Sequence, residues 1–103
     1  MFIKRDLRKI EDILADESSG KSLLKFSNRK AEFNGNVHVL CKESKLHYLA
    51  ELDTLNLYAN DISSLQGIGL LSQTPIRELN LGSNKIASIP LEVLYFQIND
   101  DLY

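Results

Sequence analysis

The stretch LDTLNLYANDISSL, beginning at Leu52, recurs 24 residues later as IRELNLGSNKIASI, beginning at Ile76. Leu55, Leu57, Asn60, Ile62 and Leu65 fall on Leu79, Leu81, Asn84, Ile86 and Ile89, and Asn56 and Ser64 recur as Asn80 and Ser88. A unit this short does not bury its own apolar face, so the units must stack and share one continuous core. Leu55 and Leu57 alternate with polar residues and predict a short strand with one apolar face. Asn60 follows where the chain must turn, and its amide supplies donors and an acceptor for backbone groups trapped between neighbouring coils. Leu52, Ile62 and Leu65 then point into the same narrow core, as do Ile76, Ile86 and Ile89 in the second copy.

Both copies fit L-x-x-L-x-L-x-x-N-x-L with Ile tolerated, and in these residues the chain resembles the leucine-rich-repeat family. NDISSLQGIGLL, Asn60 to Leu71, is similar to the intracellular phosphatase-regulator type of repeat, in which Ile-x-x-Leu-x-Gly-Ile packs the convex side in 3₁₀ turns. NKIASIPL, Asn84 to Leu91, is closer to the variant with Pro after the second apolar residue, and Pro90 suits an extended or irregular segment because it donates no backbone hydrogen bond. The resemblance implies an α/β fold: a short right-handed solenoid of about three parallel strands with a helical or 3₁₀ convex side. It also implies that the concave strand face holds protein or peptide partners.

An earlier, degenerate unit appears when the Leu55 frame is moved back 31 residues, which sets LLKFSNRKA against TLNLYANDI. Leu24 and Phe26 take the strand positions, Arg29 stands in the Asn place and Ala31 in the Ile place. The longer spacing leaves room for a convex helix, and Val37, Leu40, Cys41, Tyr48 and Leu49 recur at helical intervals over residues 36–49. At the N-terminus Ile3, Leu7, Ile10 and Leu14, widened by Ile13, form one apolar stripe and predict an amphipathic helix over 1–20 that covers the first open coil. A coiled coil is disfavoured because fewer than three heptads are present. Lys4, Arg5, Arg8 and Lys9 lie early and Glu11, Asp12, Asp16 and Glu17 late, against the macrodipole of such a helix, with Arg8 to Asp12 as a compensating pair. The expected organisation is one domain: cap 1–20, degenerate unit 21–51, repeats 52–75 and 76–99, and tail 100–103. After Ile89 the chain reads PLEVLYFQINDDLY, for which a short terminal helix or irregular cap is expected. Phe96 and Ile98, with Asp101 in the Asn place, imitate a further strand, but their 17-residue spacing from Leu79 and Leu81 is short; a truncated array or an edge that pairs with another copy are the other readings.

Other chemistry finds little support. ADESSGKS, Ala15 to Ser22, fits the phosphate-loop expression. That loop works only between a buried strand and a helix N-terminus. Here a helical pattern precedes it, a strand follows, and four acids crowd the approach, so Gly20 is expected to end the cap helix and Lys21 to sit near its last carbonyls. His38, Cys41 and His47 invite a metal, but one helix cannot converge all three, and Cys41 reads better as a small buried hydrophobe. No nucleophile elbow or paired carboxylates appear, and no cofactor is expected. A net charge of −2 with dispersed Lys and Arg offers no field for nucleic acid. No apolar run approaches the roughly 20 residues that cross a bilayer. The single Cys and the lack of glycosylation triplets suggest an intracellular, cytoplasmic setting without membrane contact.

There remains the concave grid between the buried leucines: Lys25, Ser27 and Asn28; Asp53, Thr54, Asn56 and Tyr58; Arg77, Glu78, Asn80 and Ser83. Tyr58 is the expected anchor, since aromatic side chains and Arg dominate interface energetics. Asn56 and Asn80 could instead ladder along the sheet. Protein–protein interaction is the expected function, with self-association through the C-terminal edge as the alternative.

Overall fold

Every strand in this chain is short because only one buried residue is flanked by polar ones before the chain must turn. In the computed structural model, which describes residues 7–98, the strands are β1 (Leu23–Lys25), β2 (Thr54–Asn56), β3 (Glu78–Asn80) and β4 (Gln97–Ile98). They form one parallel sheet in the order β1-β2-β3-β4. Leu24, Leu55, Leu79 and Ile98 occupy matched positions across it. Parallel neighbours require crossover connections. These are a short helix and a 3₁₀ segment (Glu43–Leu49) between β1 and β2, and the 3₁₀ segments Ile68–Gln73 and Leu91–Tyr95 thereafter. Successive 3₁₀ segments touch one another, making a second layer, and the apolar core lies between it and the sheet.

That core contains Leu52, Leu55, Leu57, Ile62, Leu65, Ile76, Leu79, Leu81 and Ile86 from the repeated units, with Leu24, Phe26 and Phe33 from the first. Two asparagines stitch its floor. Asn60 Nδ2 donates to the carbonyls of Phe26 at 2.7 Å and Leu57 at 3.0 Å, while its Oδ1 accepts from Arg29 N–H at 2.7 Å. One unit on, Asn84 Nδ2 donates to Leu57 and Leu81 carbonyls, both at 2.9 Å, and Oδ1 accepts from Asn60 N–H at 3.0 Å and Ile62 N–H at 2.9 Å. Each amide thus joins its own coil to the preceding one. Just before each turn position the backbone is left-handed, with φ of 56° at Asn28, 60° at Ala59 and 53° at Ser83, so three non-glycine residues take the same strained corner.

The capping helix α1 (Ile10–Glu17) buries Ile10, Ile13 and Leu14 against the first coil. It begins later than the apolar stripe suggests: Leu7 is 85% exposed, Lys9 is extended, and Ile3 lies outside the described residues. The charges explain the shift. A start at Ile10 puts Glu11 and Asp12 in the first turn, where the macrodipole favours them, and frees Arg8 to reach Asp16 and Glu17 rather than Asp12. Glu32 Oε2 accepts the Ile10 N–H at 2.9 Å, Arg29 bonds the Arg8 carbonyl, and Lys45 pairs with Glu11, so three contacts tie the cap to the first coil. The Lys45 ammonium, hydrogen-bonded to Glu11, holds that carboxyl below its ordinary value.

Three further expectations are corrected. The single convex helix over 36–49 is instead α2 (Lys30–Phe33), a turn and a 3₁₀ segment. Asn34 and Gly35 turn left-handed with φ of 53° and 82°, and Lys42 is extended, so no helix propagates; Val37, Leu40, Cys41 and Leu49 are buried nonetheless. Ile89 is 41% exposed and does not repeat Leu65; ahead of the extended Pro90 it swings outward, and Val93 fills the core in its stead. Finally there are four strands among the described residues, not three. The register is shifted: Ile98, not Phe96, stands beside Leu79, Gln97 N–H donates to the Arg77 carbonyl at 2.7 Å, and Phe96 is buried one step earlier. The extended run into Pro90 and a 3₁₀ turn, which rises more per residue than an α-helix, cover the return with fewer residues. Asp101 and the tail lie outside the described residues.

Candidate interaction surface on the sheet

Because side chains alternate along a strand, the partners of the buried Leu24, Leu55 and Leu79 stand on the opposite face. Two cross-strand rows result. One is Lys25, Asn56 and Asn80; the other is Leu23, Thr54, Glu78 and Gln97. Leu23 and Gln97 join the face in addition to the residues that the repeat pattern places there. Leu23 is 49% exposed, and the alternation in LLKF that buries Leu24 and Phe26 already implies that Leu23 and Lys25 point the other way.

Asn56 Oδ1 accepts the N–H of Tyr58 at 3.0 Å, and Asn80 Oδ1 accepts that of Gly82 at 3.0 Å. These are Asx turns that close the ends of β2 and β3. The two amide oxygens are therefore used locally, and the Nδ2 groups meet no acceptor among the described residues. With Lys25 Nζ they make a row of donors across three strands. Tyr58 follows this row at the C-terminal end of β2, 43% exposed, and its neighbours along the extended register are the small residues Ser27 and Gly82.

Between β2, β3 and β4 the face dips into a shallow depression of about 400 Å³, lined by Thr54, Asn56, Glu78, Asn80 and Gln97 over a floor of Leu79 and Ile98. Asp53 and Arg77 sit one residue before their strands, at the other rim from Tyr58; Asp53 Oδ1 accepts the Thr54 hydroxyl at 2.9 Å, and Arg77 N–H donates to the Asp53 carbonyl at 2.8 Å. Tyr58 and Arg77 thus mark opposite ends of the face and do not form one cluster. Ser27, Asn28 and Ser83 lie in the loops after the strands.

Ala15–Glu17 belongs to α1, Gly20 is left-handed with φ 75°, and Ser22 leads into β1, so no helix N-terminus follows the phosphate-loop-like run. The Gly20 N–H, which a phosphate would require, is taken by the Glu51 carboxylate. His47 packs on the Tyr48 ring with centroids 4.0 Å apart, and among the described residues no three His, Cys, Asp or Glu side chains converge as metal ligands. Cys41 is buried, and burial pushes its thiol from 9.0 up to about 12. Such a thiol is not a nucleophile near neutral pH. Among the described residues no helix is long and apolar enough to cross a membrane.

Comparison of the chain with protein-family models, with curated proteins and with solved structures finds no match.

Proposed function

We propose that this chain is a short leucine-rich-repeat solenoid that acts without catalysis, in an intracellular setting, as a protein–protein interaction module, its partner lying across the strand face. One observation carries the proposal: Lys25, Asn56 and Asn80 align as unsatisfied donors across three strands, beside the half-exposed ring of Tyr58. Such a row matches carbonyl and carboxylate oxygens of a protein or peptide, and Tyr58 offers a large, stiff apolar surface. The rows are held by backbone pairing beneath them, so little is lost in ordering them when a partner docks. Affinity capture with the wild-type chain and with Tyr58→Ala/Arg77→Ala tests this. Retention of a partner by the former and its loss by the latter is expected; equal capture by both contradicts it.

A second reading has its own observation. Leu91, Leu94 and Tyr95 are 81%, 75% and 62% exposed on the last 3₁₀ segment, beside the edge strand β4. Apolar exposure of this kind on one end of a stack suits continuation by a second copy. Light scattering after size exclusion decides: a concentration-independent monomer removes this reading and leaves the first intact.

A further inference from the structure

The sheet has a second binding element in its backbone. Thr54 N–H donates to the Ser22 carbonyl at 3.0 Å and Phe26 N–H to the Asn56 carbonyl at 2.8 Å, so residues 22, 24 and 26 direct their peptide groups to β2. In a parallel strand the alternate residues direct theirs to the other side. The N–H and C=O groups of Leu23 and Lys25 therefore face outward, and β1 is the edge of the sheet. A groove of about 920 Å³ runs along this edge, between α1, β1 and α2. Leu7, Ile13, Leu23 and Leu24 are its apolar lining, and Lys21, Lys25 and Lys30 line it as well. The acids that also line it are engaged elsewhere, Glu17 with Arg8 and Glu32 with Arg29 at 2.9 Å, whereas the three lysines have no ion-pair partner among the described residues.

We infer that the β1 edge docks an extended peptide that alternates apolar with acidic residues, adding it to the sheet as a further strand. The outward peptide groups of Leu23 and Lys25 supply the pairing. Side chains of an added strand alternate between the two faces. Those on the core side meet Ile13 and Leu24, and those on the other side meet Lys25 beside the half-exposed Leu23, so the groove takes apolar residues in one phase and carboxylates in the other. This site shares only Lys25 with the strand-face partner site: its pairing groups are backbone, and Lys21 and Lys30 lie off the Lys25–Asn56–Asn80 row.

The test uses the ¹⁵N-labelled full chain and an end-capped octapeptide alternating valine and glutamate. The amides of Leu23 and Lys25 are expected to show the largest shifts. Lys21→Glu/Lys30→Glu should weaken binding about tenfold or more, the equivalent of 1.4 kcal/mol, while Tyr58→Ala leaves it unchanged. Of two peptides N-methylated at every valine or at every glutamate, one should lose binding, because it lacks the donors that pair with β1. The inference is overturned by absence of binding, by shifts centred on Thr54, Asn56 and Tyr58, or by equal binding of both methylated peptides and of the charge-reversed chain. Failure of the strand-face reading would show instead in Tyr58→Ala/Arg77→Ala and leave these results untouched.

Discussion

Asn60 and Asn84 hold the same place in the repeat, and removal of either should strip two backbone groups of a side-chain partner. Asn84→Ala strips two buried donors, Asn60 N–H and Ile62 N–H, of the Oδ1 they share. Each orphaned group costs roughly 1–3 kcal/mol, so the change should destabilise by about 2–6 kcal/mol, less whatever an entering water restores. Asn60→Ala takes the Oδ1 from the Arg29 N–H and the Nδ2 donor from the buried Phe26 carbonyl, so it too should cost about 2–6 kcal/mol. Against a total stability of roughly 5–15 kcal/mol, either loss is severe. Both amides also donate to the Leu57 carbonyl, so either single variant leaves that oxygen one partner. The double variant leaves none, and its loss should exceed the sum of the singles by about 1 kcal/mol. Urea titrations followed by circular dichroism on the four proteins give all three quantities. A loss near zero in either single, or strict additivity in the double, would refute the account of how the coils are joined.

Leu57→Ala and Leu81→Ala each empty a fully buried site in a thin core and should destabilise by roughly 2–5 kcal/mol in the same titration, with neither being tolerated. For Cys41 the folded thiol titrates higher than the unfolded one, so the folded state binds the extra proton as pH rises between the two values. Its contribution is whole below pH 9.0 and is lost between there and about 12. The slope should be about 1.4 kcal/mol per pH unit and absent in Cys41→Ala; identical alkaline slopes would refute it. A calorimetric titration with ATP and Mg²⁺ should show no heat and Lys21→Ala no change in stability, because the loop is followed by a strand and its Gly20 N–H is already bonded.

Much of the sheet could be read from the chain because its buried positions repeat. Leu24, Leu55 and Leu79 are found by alternation and by two frame shifts, and they align in the structure as the shifts require. Asn60 and Asn84 are legible for the same reason, since few residues other than Asn satisfy both donors and acceptors at a buried turn. What was not legible depends on partners distant in sequence or on local breaks. The start of α1 follows from Glu32 and Arg29, about 20 residues away, and from charge placement that the apolar stripe ignores. The 36–49 segment keeps the burial pattern of a helix without its backbone, because a 3₁₀ turn can also bring residues three apart to one side. The spacing of the apolar residues sets Phe96 against Leu79; the pairing of Ile98 with Leu79 instead depends on the length of the preceding crossover, which spacing alone does not disclose. On the candidate surface, Lys25, Thr54, Asn56, Glu78 and Asn80 share a face as the alternation implies, whereas Asp53 and Arg77 lie at its rim and Leu23 joins it unannounced.

The strand-face assignment is tested most directly by a photo-crosslinking amino acid placed at Tyr58, compared with the same group at Ser88 on the crossover side. The chain should yield a discrete protein adduct from position 58, reduced by Arg77→Ala, and none from position 88. Equal adducts from both positions, or an adduct from position 88 alone, would contradict the assignment of the sheet face as the partner site.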